Sequence, residues 1–327
     1  MVTAMQERVI EFVKESLNAS QVAVDEQLQA LWGAQGFLLR LSTDVPGHET
    51  VIVKCIAPRS DSSHPRGWNT SRSFQRKTHS YEVECHWYEH FAQRCTPGCK
   101  VPQLLGIQRE EHGSLILLED LATEYPVLRN RLMVSEVAVC LRWLAEFHAL
   151  FLDDAGEGLW SQGCYWHLET RPDEWQAMAE GPLKQAASWL DERLQKARFR
   201  TLVHGDAKVA NFCFSDDMAS VSAVDFQYVG KGCGMSDVVY LLGSCLSEAD
   251  CRQHEQALLD SYFLHLSVCL PTSASAVEAE WRSLFAIAWA DFHRFLMGWM
   301  PEHDKINPYT ETLVGQALAL SSSSSND

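Results

Sequence analysis

The sequence predicts an α+β fold in two lobes, a small strand-rich N-terminal lobe followed by a larger helical C-terminal lobe. Three observations carry this. The chain has 327 residues, 46% of them apolar, which is enough for two cores. Up to about residue 120, short apolar runs alternate with Gly-, Pro- and Ser-bearing turns, the pattern of strands. From about residue 135 onward, apolar residues recur at helical spacing over long stretches. The expected division is residues 1–121, residues 122–320 and a serine-rich, disordered tail over 321–327.

Composition excludes several classes of protein. There are 43 acidic against 27 basic residues, a net charge of −16, whereas a nucleic-acid-binding surface is usually basic. No apolar run approaches the length of a membrane span, and the first sixteen residues carry acids and no signal-peptide core. Eleven cysteines are scattered, with Cys95 and Cys99 the one close pair and no second pair at zinc spacing. Reduced, buried thiols in a cytoplasmic protein are expected.

Taken in order, Val9, Ile10, Val13 and Leu17 mark an N-terminal helix packed on the first lobe. Two apolar runs between residues 28 and 41 flank Gly33-Ala34-Gln35-Gly36 and predict a hairpin. Gly33 and Gly36 are candidates to bring backbone N–H groups close to phosphates. The run Thr50–Ile56 predicts a strand with Lys54 among apolar, β-branched neighbours. In the next helix Tyr81, Glu84, Tyr88, Phe91 and Cys95 step by three and four and share one face, whereas Glu82 and Glu89 fall off it. A carboxylate on an apolar stripe is costly unless a cation pairs with it, and Lys54 is the natural partner. Between strand and helix lie Arg59, Arg66, Arg72, Arg76 and Lys77. They read as a solvated loop or as a lid that reaches an anion. Two further strands follow from Val101, ending near Leu118.

In the second lobe, residues 135–152 predict a core helix in which His148 is a satisfied core histidine. Residues 153–199 are rich in aromatics: Trp160, Tyr165, Trp166, Trp175 and Trp189 serve either as helical core fillers or as the walls of a ligand pocket. Helices are expected over 251–268 and 277–300. The second is apolar nearly all round, with Asp291 and His293 as exceptions that either face a ligand or bond within the core.

The most informative stretch is 201–242. An apolar run leads into His204-Gly205-Asp206; Asn211 follows five residues after Asp206; a second run ends in Asp225-Phe226-Gln227. The pattern of strand, polar loop, strand and acid brings Asp206, Asn211 and Asp225 to neighbouring strand ends. Phosphoryl transfer uses such a set. Asp206 would take the proton of an acceptor hydroxyl, Asn211 and Asp225 would hold Mg²⁺, and Lys208 would touch the migrating group. Two ordinary turns with solvated acids would explain either half alone, but not both in order at this spacing.

HGDxxxxN followed by DFQ resembles the kinase-like phosphotransferases of small molecules, a group that includes choline kinases, aminoglycoside phosphotransferases and the ecdysteroid-kinase-like family. DFQ and the upstream SYEVExxWY stretch, residues 80–88, make the last the nearest in pattern. Gly205 and Gln227 depart from the HRD and DFG of protein kinases. The segment from Gln227 to the helical DVVYLL is also too short for their activation loop. The resemblance implies the protein-kinase-like fold, with ATP and Mg²⁺ as cofactors. Lys54 and Glu84 would position the nucleotide phosphates, and the backbone of Glu119 to Leu121, where the lobes join, would meet adenine. It implies that Asp237 supports the catalytic loop, although N-capping of a helix explains that residue equally well. The partner implied is a small-molecule hydroxyl acceptor, with a neutral alcohol ahead of a cationic one. The rivals are a catalytically inactive nucleotide-binding relative and a protein kinase.

Overall fold

A computed structural model of the protein describes residues 2–31, 35–57, 71–110 and 113–324. Gly33 and the loop arginines Arg59 and Arg66 lie outside the described residues. Two compact units are present. The first comprises residues 2–94 and 101–126. The second comprises residues 95–100 and 127–324. The division between the units falls at 126/127, and residues 95–100 belong with the second unit.

In the first unit, helix α1 (Val2–Leu17) is followed by β1 (Val22–Ala30), β2 (Gly36–Thr43), β3 (Thr50–Ile56), helix α2 (Ser71–His90), β4 (Leu104–Glu110) and β5 (Gly113–Glu119). The strands form one antiparallel sheet in the order β1-β2-β3-β5-β4, so β3 is central. Apolar residues of α1 and of the sheet close a common core that includes Val9, Phe12, Val13, Leu41, Val53 and Leu117. At the start of β2, Gly36 has φ +139°, and a Cβ there would lie 1.9 Å from the carbonyl oxygen of Cys55 on β3. Only glycine fits this close crossing of two backbones.

The second unit is helical. After the two-residue strand β6 (Val127–Leu128) come α3 (Val134–Leu150), the short helices α4 (Pro172–Ala177), α5 (Pro182–Gln185) and α6 (Ala187–Gln195), and β7 (Thr201–Val203), β8 (Phe212–Phe214), β9 (Val221–Ala223) and β10 (Gly230–Gly232). Helices α7 (Met235–Cys245), α8 (Glu248–Cys269), α9 (Ala274–Trp299) and α10 (Pro308–Ser324) complete it. The short strands pair as β10-β7 and β6-β8-β9. Helix α9 is the central post. It packs on α4, α6, α7 and α10 and buries residues around its whole circumference from Leu284 to Leu296. No described helix is long and apolar enough to cross a membrane.

Helix α10 runs through Ser324, so the tail expected to be disordered from residue 321 is helical over its first four residues. It is anchored where Tyr309, Leu313 and Ala317, one turn apart, are buried. Its start carries a recognisable signal: Asn307 Oδ1 accepts the Thr310 N–H at 3.1 Å, with Pro308 at the first helical position.

Candidate active site

In the first unit, Lys54 Nζ donates to both carboxylate oxygens of Glu84, each at 2.7 Å. Lys54 is 6% exposed and Glu84 1%. The pair exists because each element sends a charge inward. Lys54 stands on the central strand, between Leu38 of β2 and Ile116 of β5. Glu84 shares the buried face of α2 with Tyr81 and Tyr88, while Glu82 is exposed. A carboxylate buried so deeply persists only with a bonded cation.

The segment after β5 is fixed by contacts absent from the sequence reading. The Glu119 carboxylate accepts the Gln103 N–H at 2.9 Å. Asp120 caps a single 3₁₀ turn, Leu121–Thr123, by accepting the Ala122 N–H, and it also accepts Arg40 Nε at 2.7 Å. Leu121 is buried. The hydrogen bond to Asp120 raises the Arg40 pKa above its ordinary value.

In the second unit, Asp206, Lys208, Asn211 and Asp225 converge. Lys208 Nζ donates to Asp206 Oδ2 at 3.0 Å. Asn211 Nδ2 donates to the Asp206 carbonyl at 2.8 Å and to Oδ2 at 3.2 Å. These bonds fix the Asp206 side chain by its own loop. The two β-ends are stitched together as well, since Val224 N–H donates to the Asn211 carbonyl at 3.0 Å. Asp225 adopts φ +70°, a left-handed conformation uncommon for a residue with a Cβ, and Gln227 Nε2 donates to its Oδ1 at 2.6 Å. Burial raises the Asp206 pKa; Lys208 opposes the shift and the Asp225 charge adds to it. Burial disfavours the Lys208 cation, but Asp206 and Asp225 outweigh it, and its pKa is raised.

The loop backbone hangs on Asp237. Its Oδ2 accepts the His204 N–H at 2.6 Å and its Oδ1 accepts the Gly205 N–H at 2.9 Å. The first turn of α7 thus holds the 204–206 loop through this side chain rather than using it as a cap. His148 Nε2 lies 3.1 Å from Asp237 Oδ2 and its Nδ1 lies 2.7 Å from the Tyr262 hydroxyl, all buried. His148 is therefore a bonded core histidine that braces the loop. His204 Nδ1 accepts the Asp206 N–H at 3.2 Å, which puts its proton on Nε2, 3.0 Å from the Val224 carbonyl.

Asp291 and His293 bond within the core. Arg294 donates from Nε to Asp291 Oδ1 at 2.9 Å, and His293 Nδ1 lies 3.2 Å from Thr310 Oγ1. Burial raises the Asp291 pKa and lowers that of His293 to about 4. Of the aromatics, Tyr165 and Trp166 join Tyr240, Phe292 and Phe295 in one cluster. Trp160 donates to the Gln227 carbonyl at 2.8 Å and stacks on Tyr228. Local sequence pattern does not mark Tyr240, Phe292 and Lys305 as members, because they join this cluster from helices and a loop far along the chain. All eleven cysteines are free thiols, eight of them buried, which makes them packing residues rather than a disulfide framework.

The fold is kinase-like, as in solved small-molecule phosphotransferases. It resembles a choline kinase from Cryptosporidium parvum Iowa II at a TM-score of 0.57, with 10% identity over 97% of this chain and 95% of the other. It also resembles an aminoglycoside phosphotransferase from Streptomyces rimosus ATCC10970, whose structure contains ADP and streptomycin. That match has a TM-score of 0.50 and 11% identity over 85% of this chain and 98% of the other. In sequence, residues 164–273, which contain Asp206, Lys208, Asn211, Asp225 and α7, match the ecdysteroid kinase-like family. No curated protein matches the chain in sequence.

Proposed function

We propose that the protein transfers the γ-phosphoryl group of ATP, with Mg²⁺, to a hydroxyl of a small molecule. The observation that carries this reading is the convergence of Asp206, Lys208, Asn211 and Asp225 on two stitched strand ends, with Asp237 holding the loop from behind. Mg²⁺ suits the donor set. Asn211 uses its amide N–H groups on Asp206, its amide oxygen takes no hydrogen bond among the described residues, and Asp225 adds a carboxylate. Both are hard oxygen donors. When bound, Mg²⁺ neutralises phosphate charge that builds up during transfer.

The chain's own residues do the rest. Asp206 accepts the acceptor hydroxyl's proton, and its raised pKa makes it a stronger base than an exposed carboxylate. Lys208 keeps Asp206 ionised and carries positive charge toward the transferring group. In the first unit, Lys54, held straight by Glu84, is assigned to the nucleotide phosphates. Gly33 and Gly36 are assigned to the same phosphates and the backbone of Glu119 and Leu121 to adenine. The match to the ecdysteroid kinase-like family favours a neutral alcohol over a cationic one. Only seven residues separate Gln227 from Met235, where α7 begins, and three of them form β10, so a peptide-docking activation segment has no room. Free thiols throughout support a cytoplasmic setting.

The experiment combines γ-labelled ATP, Mg²⁺, a cell metabolite extract and a protein mixture, followed by separation. Label should appear on small molecules. Asp206→Ala should lower that transfer by at least about 100-fold while Mg·ADP binding persists. Asp225→Asn should abolish the Mg²⁺-dependent gain in melting temperature with ADP. Label confined to protein serine or threonine would overturn the assignment.

A further inference from the structure

We propose that Lys305 is an acceptor-binding residue that selects a non-cationic alcohol, its ammonium binding a second oxygen function of that molecule. The inference rests on the phosphotransferase reading and narrows its acceptor. Lys305 Nζ lies 5.0 Å from the ring centroid of Tyr240 and 5.4 Å from that of Phe292. These two rings meet edge to face at 5.2 Å, and Tyr240 bonds to Tyr165 hydroxyl to hydroxyl at 3.2 Å. The cluster lies at the base. The Asp206 charge acts on Tyr165, Tyr240 and Lys305 alike.

The lysine is held in place by its own loop. Its N–H donates to His303 Nδ1 at 3.2 Å, and its carbonyl accepts Thr310 Oγ1 at 2.9 Å. Its ammonium is partly buried and has no hydrogen-bond or ion-pair partner among the described residues. Three N–H donors therefore await oxygen acceptors. Burial lowers the Lys305 pKa, outweighing the Asp304 and Asp206 charges that favour the cation.

Aromatic faces attract quaternary or primary ammonium ligands, but here they are taken. Lys305 covers Tyr240 and Phe292. The Arg171 guanidinium lies 5.5 Å from the Tyr165 centroid and 5.3 Å from that of Phe295. Arg171 is committed, since it donates to the Tyr165 carbonyl at 2.6 Å and to Glu174 at 3.1 Å. A cationic alcohol would meet two resident cations at short range. The protein's net charge of −16 would attract it, but surface charge is screened beyond about 8 Å at physiological salt. The local cations decide the preference.

The test separates a cell metabolite extract into cationic, neutral and anionic small molecules by ion exchange. Each fraction is incubated with the full-length protein and γ-labelled ATP. Transfer to the neutral or anionic fraction should exceed that to the cationic fraction at least tenfold, and which of the two carries the label fixes the second oxygen function as uncharged or acidic. With the labelled fraction as substrate, Lys305→Met should raise KM about tenfold or more with Mg·ADP affinity unchanged. Lys305→Arg should recover most of the loss. Label confined to the cationic fraction, or a Lys305→Met enzyme with wild-type KM, would overturn the inference and leave the phosphotransferase reading standing. No label in any fraction would overturn that reading, and this inference with it.

Discussion

Replacing Asp237 by asparagine changes one oxygen to an amide nitrogen and nothing else in shape. In the native structure both carboxylate oxygens face donors, with the His204 N–H and His148 Nε2 at Oδ2 and the Gly205 N–H at Oδ1. Either orientation of an asparagine amide turns its NH₂ toward one of the two backbone N–H groups. His148 can adapt by moving its proton to Nδ1, because the Tyr262 hydroxyl can accept as well as donate. The backbone N–H cannot adapt. One buried donor is left without an acceptor, at a cost of about 1–3 kcal/mol. For a unit of roughly 200 residues this lowers the melting temperature by about 2–4 °C per kcal/mol. Calorimetry should therefore show a fall of several degrees. Because the donor at fault lies in residues 204–205, kcat should drop more than Mg·ADP affinity does. An Asp237→Asn protein with unchanged melting temperature and unchanged kcat would refute the view that this side chain carries the loop.

Two further outcomes follow from the titrating groups. The base role proposed for Asp206 requires its ionised form, and burial already raises its pKa against the pull of Lys208. Lys208→Met should raise it further, moving the acidic limb of the kcat–pH profile to higher pH; a limb that stays in place would separate Lys208 from Asp206. His293 is buried and its pKa is lowered to about 4 from an ordinary 6.5. Between these values the unfolded chain binds the proton and the folded one does not, so stability falls as pH drops from 6.5 toward 4. The loss approaches about 3 kcal/mol at full effect, and a His293→Leu protein measured by urea unfolding across that range should lack this part of the slope.

Local spacing made much of this legible in advance. The Lys54–Glu84 contact could be anticipated because a carboxylate on an apolar helix stripe has few physical solutions. The strand-loop-strand order of 201–227 likewise leaves Asp206, Asn211 and Asp225 little freedom to diverge. Features that depend on remote chain segments were not legible. Arg40 meets Asp120 across eighty residues, and nothing around either residue marks the other. Tyr240, Phe292 and Lys305 meet Tyr165 only after α7, α9 and the loop before α10 have packed. The end of the chain misled for a different reason. A serine run reads as disorder by composition, yet three buried apolar residues spaced along α10, Tyr309, Leu313 and Ala317, anchor one face of a helix that runs to Ser324.

Gly205 joins the two kinds of information. Its φ is +79°, and a Cβ at this position would lie 2.0 Å from the Tyr228 carbonyl oxygen and 2.7 Å from the Cys164 nitrogen. No side chain can stand there. The reason is a three-way backbone crossing. Cys164 N–H donates to the Tyr228 carbonyl, and Tyr165 N–H donates to the Gly205 carbonyl, each at 3.1 Å. The glycine that distinguishes HGD from the protein-kinase HRD is thus a demand of the aromatic segment beside it. By letting residues 164–165 press against the loop, it carries Tyr165, and the cluster that Tyr240, Phe292 and Lys305 complete, up to the loop that bears Asp206. In this chain a single backbone position therefore couples the 204–211 loop to the surface we assign to the acceptor. Substitutions at Gly205 should disturb acceptor selection and loop geometry together, whereas those at Lys305 should touch only the first.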